Sequence, residues 1–166
     1  MQTFTGRLID LSQLAVDDVR IADIAHALSL INRFTGHSKA PYSVAQHSVM
    51  VSRLCEPACA KWGLLHDASE AYLGDMATPL KNLIPEYREI ERRVQHVIAE
   101  RFGLEWPMPD AVKIADLRAL MGEKRDLVPG SADWGIDVEP ACGPINPFCW
   151  IQAKKLFEDR YQELFT

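Results

Sequence analysis

The stretch Ala60-Lys61-Trp62-Gly63-Leu64-Leu65-His66-Asp67-Ala68-Ser69-Glu70-Ala71-Tyr72-Leu73 decides how the chain is read. Its length and apolar content, with Trp62, Leu65 and Leu73, predict a helix over about residues 58–73. A histidine, two acids and a serine interrupt it, and such polarity inside an apolar helix is costly unless something compensates it. His66 and Glu70 are four residues apart and share one face of a regular helix. Asp67 is turned from His66 by about 100°, so the two side chains can flank one ion.

Helix signals continue on both sides. Ile21, Ile24, Leu28 and Ile31 recur at helical spacing and predict a helix over residues 18–31. Ser43 and Gln46 form a capping-box pattern after Pro41, opening a second helix that runs to about Cys55. Further helices are expected over residues 85–101, 110–127 and 148–165, with Pro and Gly at their boundaries. The sole strand candidate is the short segment 4–9. Residues 128–147 hold four prolines and three glycines without periodicity, which reads as a long ordered loop or flap. The expected class is all-α, one domain over residues 1–166, built as a bundle of about six main helices with a long loop on its C-terminal side.

Composition narrows the function classes. A chain of 166 residues, 48% hydrophobic and 25% charged, can bury a core without disulfides or structural metals. A net charge of −5 argues against coating a nucleic-acid polymer or an anionic membrane. No apolar run approaches the ~20 residues needed to span a bilayer, and the first residues lack a signal-peptide layout, so a cytoplasmic protein is expected. The cysteines at 55, 59, 142 and 149 lack paired CxxC spacing and read as reduced thiols.

Two more residues extend the polar cluster. His47 shares a helix face with Val44, Met50, Val51 and Leu54 and therefore points inward. Asp116 lies on the same helix side as Val112, Ala119 and Leu120. Two imidazoles and two carboxylates form a ligand set suited to a divalent zinc, cobalt, manganese, nickel or iron ion. Spacing alone leaves open that the four make unrelated polar contacts, since an inward histidine more often bonds a carbonyl.

The order His47, His66-Asp67, Asp116 over three helices resembles the metal-binding signature of the HD-domain phosphohydrolase superfamily. The segments Ile31-Asn32-Arg33-Phe34, Tyr42-Ser43-Val44-Ala45-Gln46-His47-Ser48 and His66-Asp67-Ala68-Ser69-Glu70-Ala71-Tyr72-Leu73-Gly74-Asp75-Met76-Ala77-Thr78-Pro79-Leu80-Lys81 resemble its small single-domain branch. That branch includes bacterial 5′-deoxynucleotidases and phage dATP triphosphohydrolases. The likeness spans nearly the whole chain and is strongest between residues 31 and 81.

The resemblance implies that His47, His66, Asp67 and Asp116 hold the ion, that Glu70 stands beside its water, and that Asp75 is a second active-site acid. It implies hydrolysis of the 5′-phosphate ester of a deoxynucleotide by the ion's water, with magnesium accompanying a triphosphate substrate. Arg33 can bind phosphate bidentately, and Lys81 and Lys113 can act as point charges. Phe34 stands where this branch usually has tryptophan, so base preference is open. Family precedent also implies a homo-oligomer. Two alternatives stand beside this reading. One is a nucleotide-binding domain without turnover, disfavoured by the intact ligand positions and Glu70. The other is a diiron oxygenase, which needs further histidines when only His26 and His37 are near in sequence.

Overall fold

The computed structural model describes residues 1–166 and is all-helical, without a named strand. Its α-helices are α1 (Ile21–Leu30), α2 (Val44–Leu54), α3 (Ala60–Leu65), α4 (Glu70–Leu73), α5 (Thr78–Lys81), α6 (Pro85–Phe102), α7 (Asp110–Leu127) and α8 (Trp150–Phe165). Short 3₁₀ turns occupy Leu11–Gln13, Val16–Asp18 and Arg33–Gly36. No helix is long and apolar enough to cross a membrane.

Helix α2 is the axis of the bundle, packing against α1, α3, α7 and α8. Val44 through Val49, Val51 and Ser52 are all buried, so this helix is covered along most of its length, as a central helix must be. The main core gathers Ile24, Leu28, Val44, Val49, Leu64, Leu65, Ile98 and Phe157. A second, smaller cluster places Val51 and Trp62 against Ala99, Val112, Ala115 and Ala119. The two clusters fix α7 and α3 on α2, and thereby fix the polar residues that all three helices carry.

The punctuation follows the expected chemistry. Pro85 opens α6, where its missing N–H costs nothing, and Gly103 closes it in the left-handed region at φ 63. Ser43 caps α2 by accepting from the Gln46 amide at 3.2 Å. The expected capping box is only half formed, because the Gln46 side chain turns away. Its Nε2 donates to the Asn146 carbonyl at 2.7 Å, and its Oε1 accepts from the Phe148 amide at 2.8 Å. Gln46 thus ties the end of the long loop to the central helix.

Two expectations are corrected. The predicted helix over residues 58–73 is divided into α3 and α4. His66 and Ser69 keep right-handed helical dihedrals, but Ala68, Glu70, Ala71 and Tyr72 bond carbonyls three residues back rather than four. Such 3₁₀ tightening inside a helix rotates the side chains out of regular register. The segment 4–9 is not a strand; Gly6 at φ 82 turns the chain back, leaving only an isolated bridge between Gln2 and Leu8.

Gly63 lies at a close approach of α3 to the end of α2. A Cβ there would lie 2.8 Å from both Cys55 Sγ and Ser52 Cα. Gly63→Ala is expected to lower stability by about 1–3 kcal/mol, because backbone must move to admit the methyl group. Gly122→Ala meets a movable side-chain atom, Ile145 Cδ1, at 3.3 Å and should cost less. Chemical denaturation of both variants at one pH checks the order.

Candidate metal centre and its cavity

Two helices and the turn between two others bring the predicted ligands together. His47 comes from the middle of α2, His66 and Asp67 from the tightened turn between α3 and α4, and Asp116 from α7. His47 Nε2 lies 3.2 Å from His66 Nε2, 3.1 Å from Asp116 Oδ1 and 3.6 Å from Asp67 Oδ2. His66 Nε2 lies 3.1 Å from Asp67 Oδ2 and 3.9 Å from Asp116 Oδ1. Candidate ligand atoms of His47, His66 and Asp67 all fall within 4.8 Å of one another.

The donor set fits a divalent ion. Nitrogen and oxygen ligands at ~2.1 Å from a shared ion stand ~3 to 3.5 Å from one another, which is the range most of these separations occupy. The histidine tautomers point the same way. His47 Nδ1 is 2.6 Å from the Glu123 carboxylate and His66 Nδ1 is 2.9 Å from the Gly63 carbonyl. Both partners are acceptors, so each Nδ1 donates to its partner and Nε2 is the atom that each ring turns toward the other, free to serve as the ligand atom. Outer partners of this kind commonly orient metal-bound histidines.

Glu123 was not among the residues expected from sequence. It is fully buried and bonds both His47 and, through Nε at 3.0 Å, Arg33. It follows Asp116 by seven residues and so shares its face of α7, which is the signal that could have found it. Burial opposes ionisation of Glu123, but Arg33 and His47 outweigh it and hold the carboxyl below its ordinary range.

The His–Asp cluster opens into a cavity of about 800 Å³ whose lining includes Arg33, Phe34, Asp67, Glu70, Asp75, Lys81 and Asp116. Arg33 Nη1 is 3.6 Å from Asp67, so its guanidinium spans from Glu123 toward the cluster. Lys81 is 4.0 Å from Glu70 and is held at 2.6 Å by Glu91. Glu70 has one buried oxygen, Oε2, without a hydrogen-bond partner. Burial, with the nearby charges of Asp67 and Asp75, pushes its carboxyl well above the ordinary value. Asp75 is raised in the same direction, chiefly by burial. Asp67 is driven the opposite way: burial would raise it, but His66, His47 and Arg33 overcome that and hold it ionised.

The structure thus brings together nine of the ten residues singled out in the sequence: the four candidate ligands, Glu70, Asp75, Arg33, Phe34 and Lys81. The tenth, Lys113, is a correction. Its side chain is 64% exposed, pairs with Asp110 at 3.1 Å, and is absent from the cavity lining. It belongs to the solvent side of the first turns of α7, away from the buried stripe of Val112, Ala115 and Ala119. His37 and His26 also lie outside this cavity; His26 instead stacks on Phe4 at 3.7 Å.

A further feature follows Arg33. Phe34 at φ 58 and Thr35 at φ 51 are consecutive left-handed residues, a conformation disfavoured for aromatic and β-branched side chains. Both line the cavity, where strained backbone is commonly retained for function.

No protein-family model matches the chain. It is 39% identical over 168 residues to the uncharacterized protein YfdR of Escherichia coli, covering 99% of this chain and 94% of that protein. It is also 39% identical over 121 residues to an uncharacterized protein of Rhodobacter capsulatus, covering 67% of this chain and 62% of that relative. With that identity to YfdR along nearly the full length of both proteins, the chain belongs to the YfdR family.

Proposed function

We propose that this protein is a metal-dependent phosphohydrolase that cleaves the 5′-phosphate ester of deoxynucleotides. The observation that carries the reading is the convergence of His47, His66 and Asp67 within 4.8 Å of one another, with Asp116 3.1 Å from His47, at a cavity that also presents Arg33, Lys81 and an acid of raised pKa. The resemblance to HD-domain phosphohydrolases supports the same assignment. Both monophosphates and triphosphates fit it, because attack at the α-phosphorus serves either.

His47, His66, Asp67 and Asp116 would hold a divalent ion, which when bound would supply Lewis acidity to a water and to a phosphoryl oxygen. Glu70 accepts the proton of the attacking water at a carboxylate oxygen of the cavity wall. As the water oxygen bonds to the α-phosphorus, the bond from phosphorus to the nucleoside 5′-oxygen breaks, and that oxygen takes up a proton. Arg33 balances charge on the phosphoryl oxygens with the guanidinium nitrogens that Glu123 leaves free, and Lys81 adds a second positive charge. Phe34 offers its ring to the sugar or base.

The direct test incubates the protein with manganese, cobalt, nickel, zinc or iron(II) and a panel of deoxynucleoside mono- and triphosphates. Release of phosphate from monophosphates or intact triphosphate from triphosphates is expected. Tight binding without product from any member would contradict the enzyme assignment. In the same assay Glu70→Gln should retain the ion yet lose about 10²–10⁴-fold in rate, whereas His66→Ala should lose the ion itself.

Ion binding should also release protons. In the metal-free protein burial and Arg33 oppose protonation of His47, but Glu123 and Asp116 prevail and raise its pKa to about 9. At pH 7 His47 therefore carries a proton that an ion must displace, so affinity should rise with pH and level off near 9. Calorimetric titration of manganese in buffers of different ionisation enthalpy reads the release. Affinity independent of pH between 6 and 9 would contradict it.

A further inference from the structure

The loop between α7 and α8 had no assigned role in the sequence, yet it contributes Trp134 and Ile136 to the cavity. Its second half is pinned in place. Ala141 N donates to the Arg118 carbonyl at 2.9 Å, and Ile145 N donates to the Asp126 carboxylate at 2.9 Å. Arg125 donates to the Ala141 and Gly143 carbonyls at 3.2 and 2.6 Å. With Gln46 holding Asn146 and Phe148, the chain between α7 and this anchor has a fixed return point, and along that span it reaches the cavity.

At the cavity Trp134 stands 6.3 Å from the Phe34 ring, inclined at 51°, and Lys124 Nζ lies 5.1 Å from its centroid. The residue is nevertheless 37% exposed. A tryptophan in an aromatic and cationic setting, but with much of its surface uncovered, offers a stacking face. The contacts from Asp67 to Arg33 at 3.6 Å, from Arg33 to the Phe34 ring at 5.3 Å, and from Phe34 to Trp134 form one continuous path from the metal cluster. Leu117, Leu120, Met76 and Ile136 add apolar lining to the same cavity. A ligand with an anionic end and a planar aromatic end matches that division.

We infer that Trp134 is a specificity-determining residue that stacks on the nucleobase, making the loop the part of the chain that requires a base on the phosphorylated sugar. This rests on the nucleotide reading above. It assigns Trp134 to ligand recognition alone, with no part in the bond-breaking step.

The test uses the Glu70→Gln protein, to limit turnover, with and without Trp134→Ala or Trp134→Phe. Calorimetry measures the affinity of manganese-loaded protein for the four common deoxynucleoside 5′-monophosphates and for deoxyribose 5-phosphate, which has no base. Trp134→Ala should weaken the best-bound nucleotide by about 10-fold or more, within the range of base–aromatic stacking. Trp134→Phe should restore most of it, and the affinity for deoxyribose 5-phosphate should not change. Equal weakening of nucleotide and sugar phosphate, or no weakening of the nucleotide, overturns the role of Trp134 while leaving the nucleotide reading intact. Failure of the parent protein to bind any of the nucleotides overturns both.

Discussion

The buried bond between His47 and Glu123 sets the geometry on which the site depends. Both side chains have no solvent exposure, and they join the central helix α2 to α7 at 2.6 Å. An isolated carboxylate could not ionise cheaply there; His47 on one side and Arg33 on the other make it tolerable. The same contact orients the imidazole, so that Nε2 faces His66, Asp67 and Asp116. Arg33 is fixed by the other carboxylate oxygen and directed toward the cavity. One acid thereby coordinates the orientation of a candidate metal ligand and a candidate phosphate-binding cation.

The tightened turn after α3 serves the same end. A regular helix would direct His66 and Asp67 about 100° apart. His66 Nε2 and Asp67 Oδ2 nevertheless reach back to within 3.1 Å of each other, in a region whose hydrogen bonds run three residues back. His66 Nδ1 bonds the Gly63 carbonyl, and Gln95 from α6 donates to the carbonyls of Leu65 and His66 at 3.0 and 2.9 Å. Backbone carbonyls that a uniform helix would occupy internally thus find side-chain partners. The departure from ideal helix geometry is stabilised at the place where two ligands must meet.

Helix α7 was legible from end to end, because apolar periodicity runs between Pro109 and Val128 without a competing signal. The division of the preceding helix near His66 was not. No glycine or proline interrupts residues 64–73, and His66 and Ser69 keep helical dihedrals, so the change is recorded in the hydrogen-bond ladder. Family resemblance gathered His47, His66, Asp67 and Asp116, which spacing alone left as separate inward polar residues. Glu123 escaped notice because Glu123-Lys124-Arg125-Asp126 looks like a solvated charge cluster, although its register with Asp116 marks it as inward. Lys113 was misplaced by the opposite error, since nearness to Asp116 along a helix does not place a long side chain in the same cavity. Trp134 lies in a segment without periodicity, where its position follows from tertiary anchors such as Gln46 and Arg125.

In the proposed site, His47, His66, Asp67 and Asp116 share one divalent ion. The decisive measurement is a crystal structure of the manganese-soaked protein, with diffraction recorded above and below the manganese absorption edge. A single strong anomalous peak bonded to His47 Nε2, His66 Nε2, Asp67 and Asp116 is expected. A peak ligated elsewhere, or none at a manganese concentration that saturates the protein in solution, would contradict it.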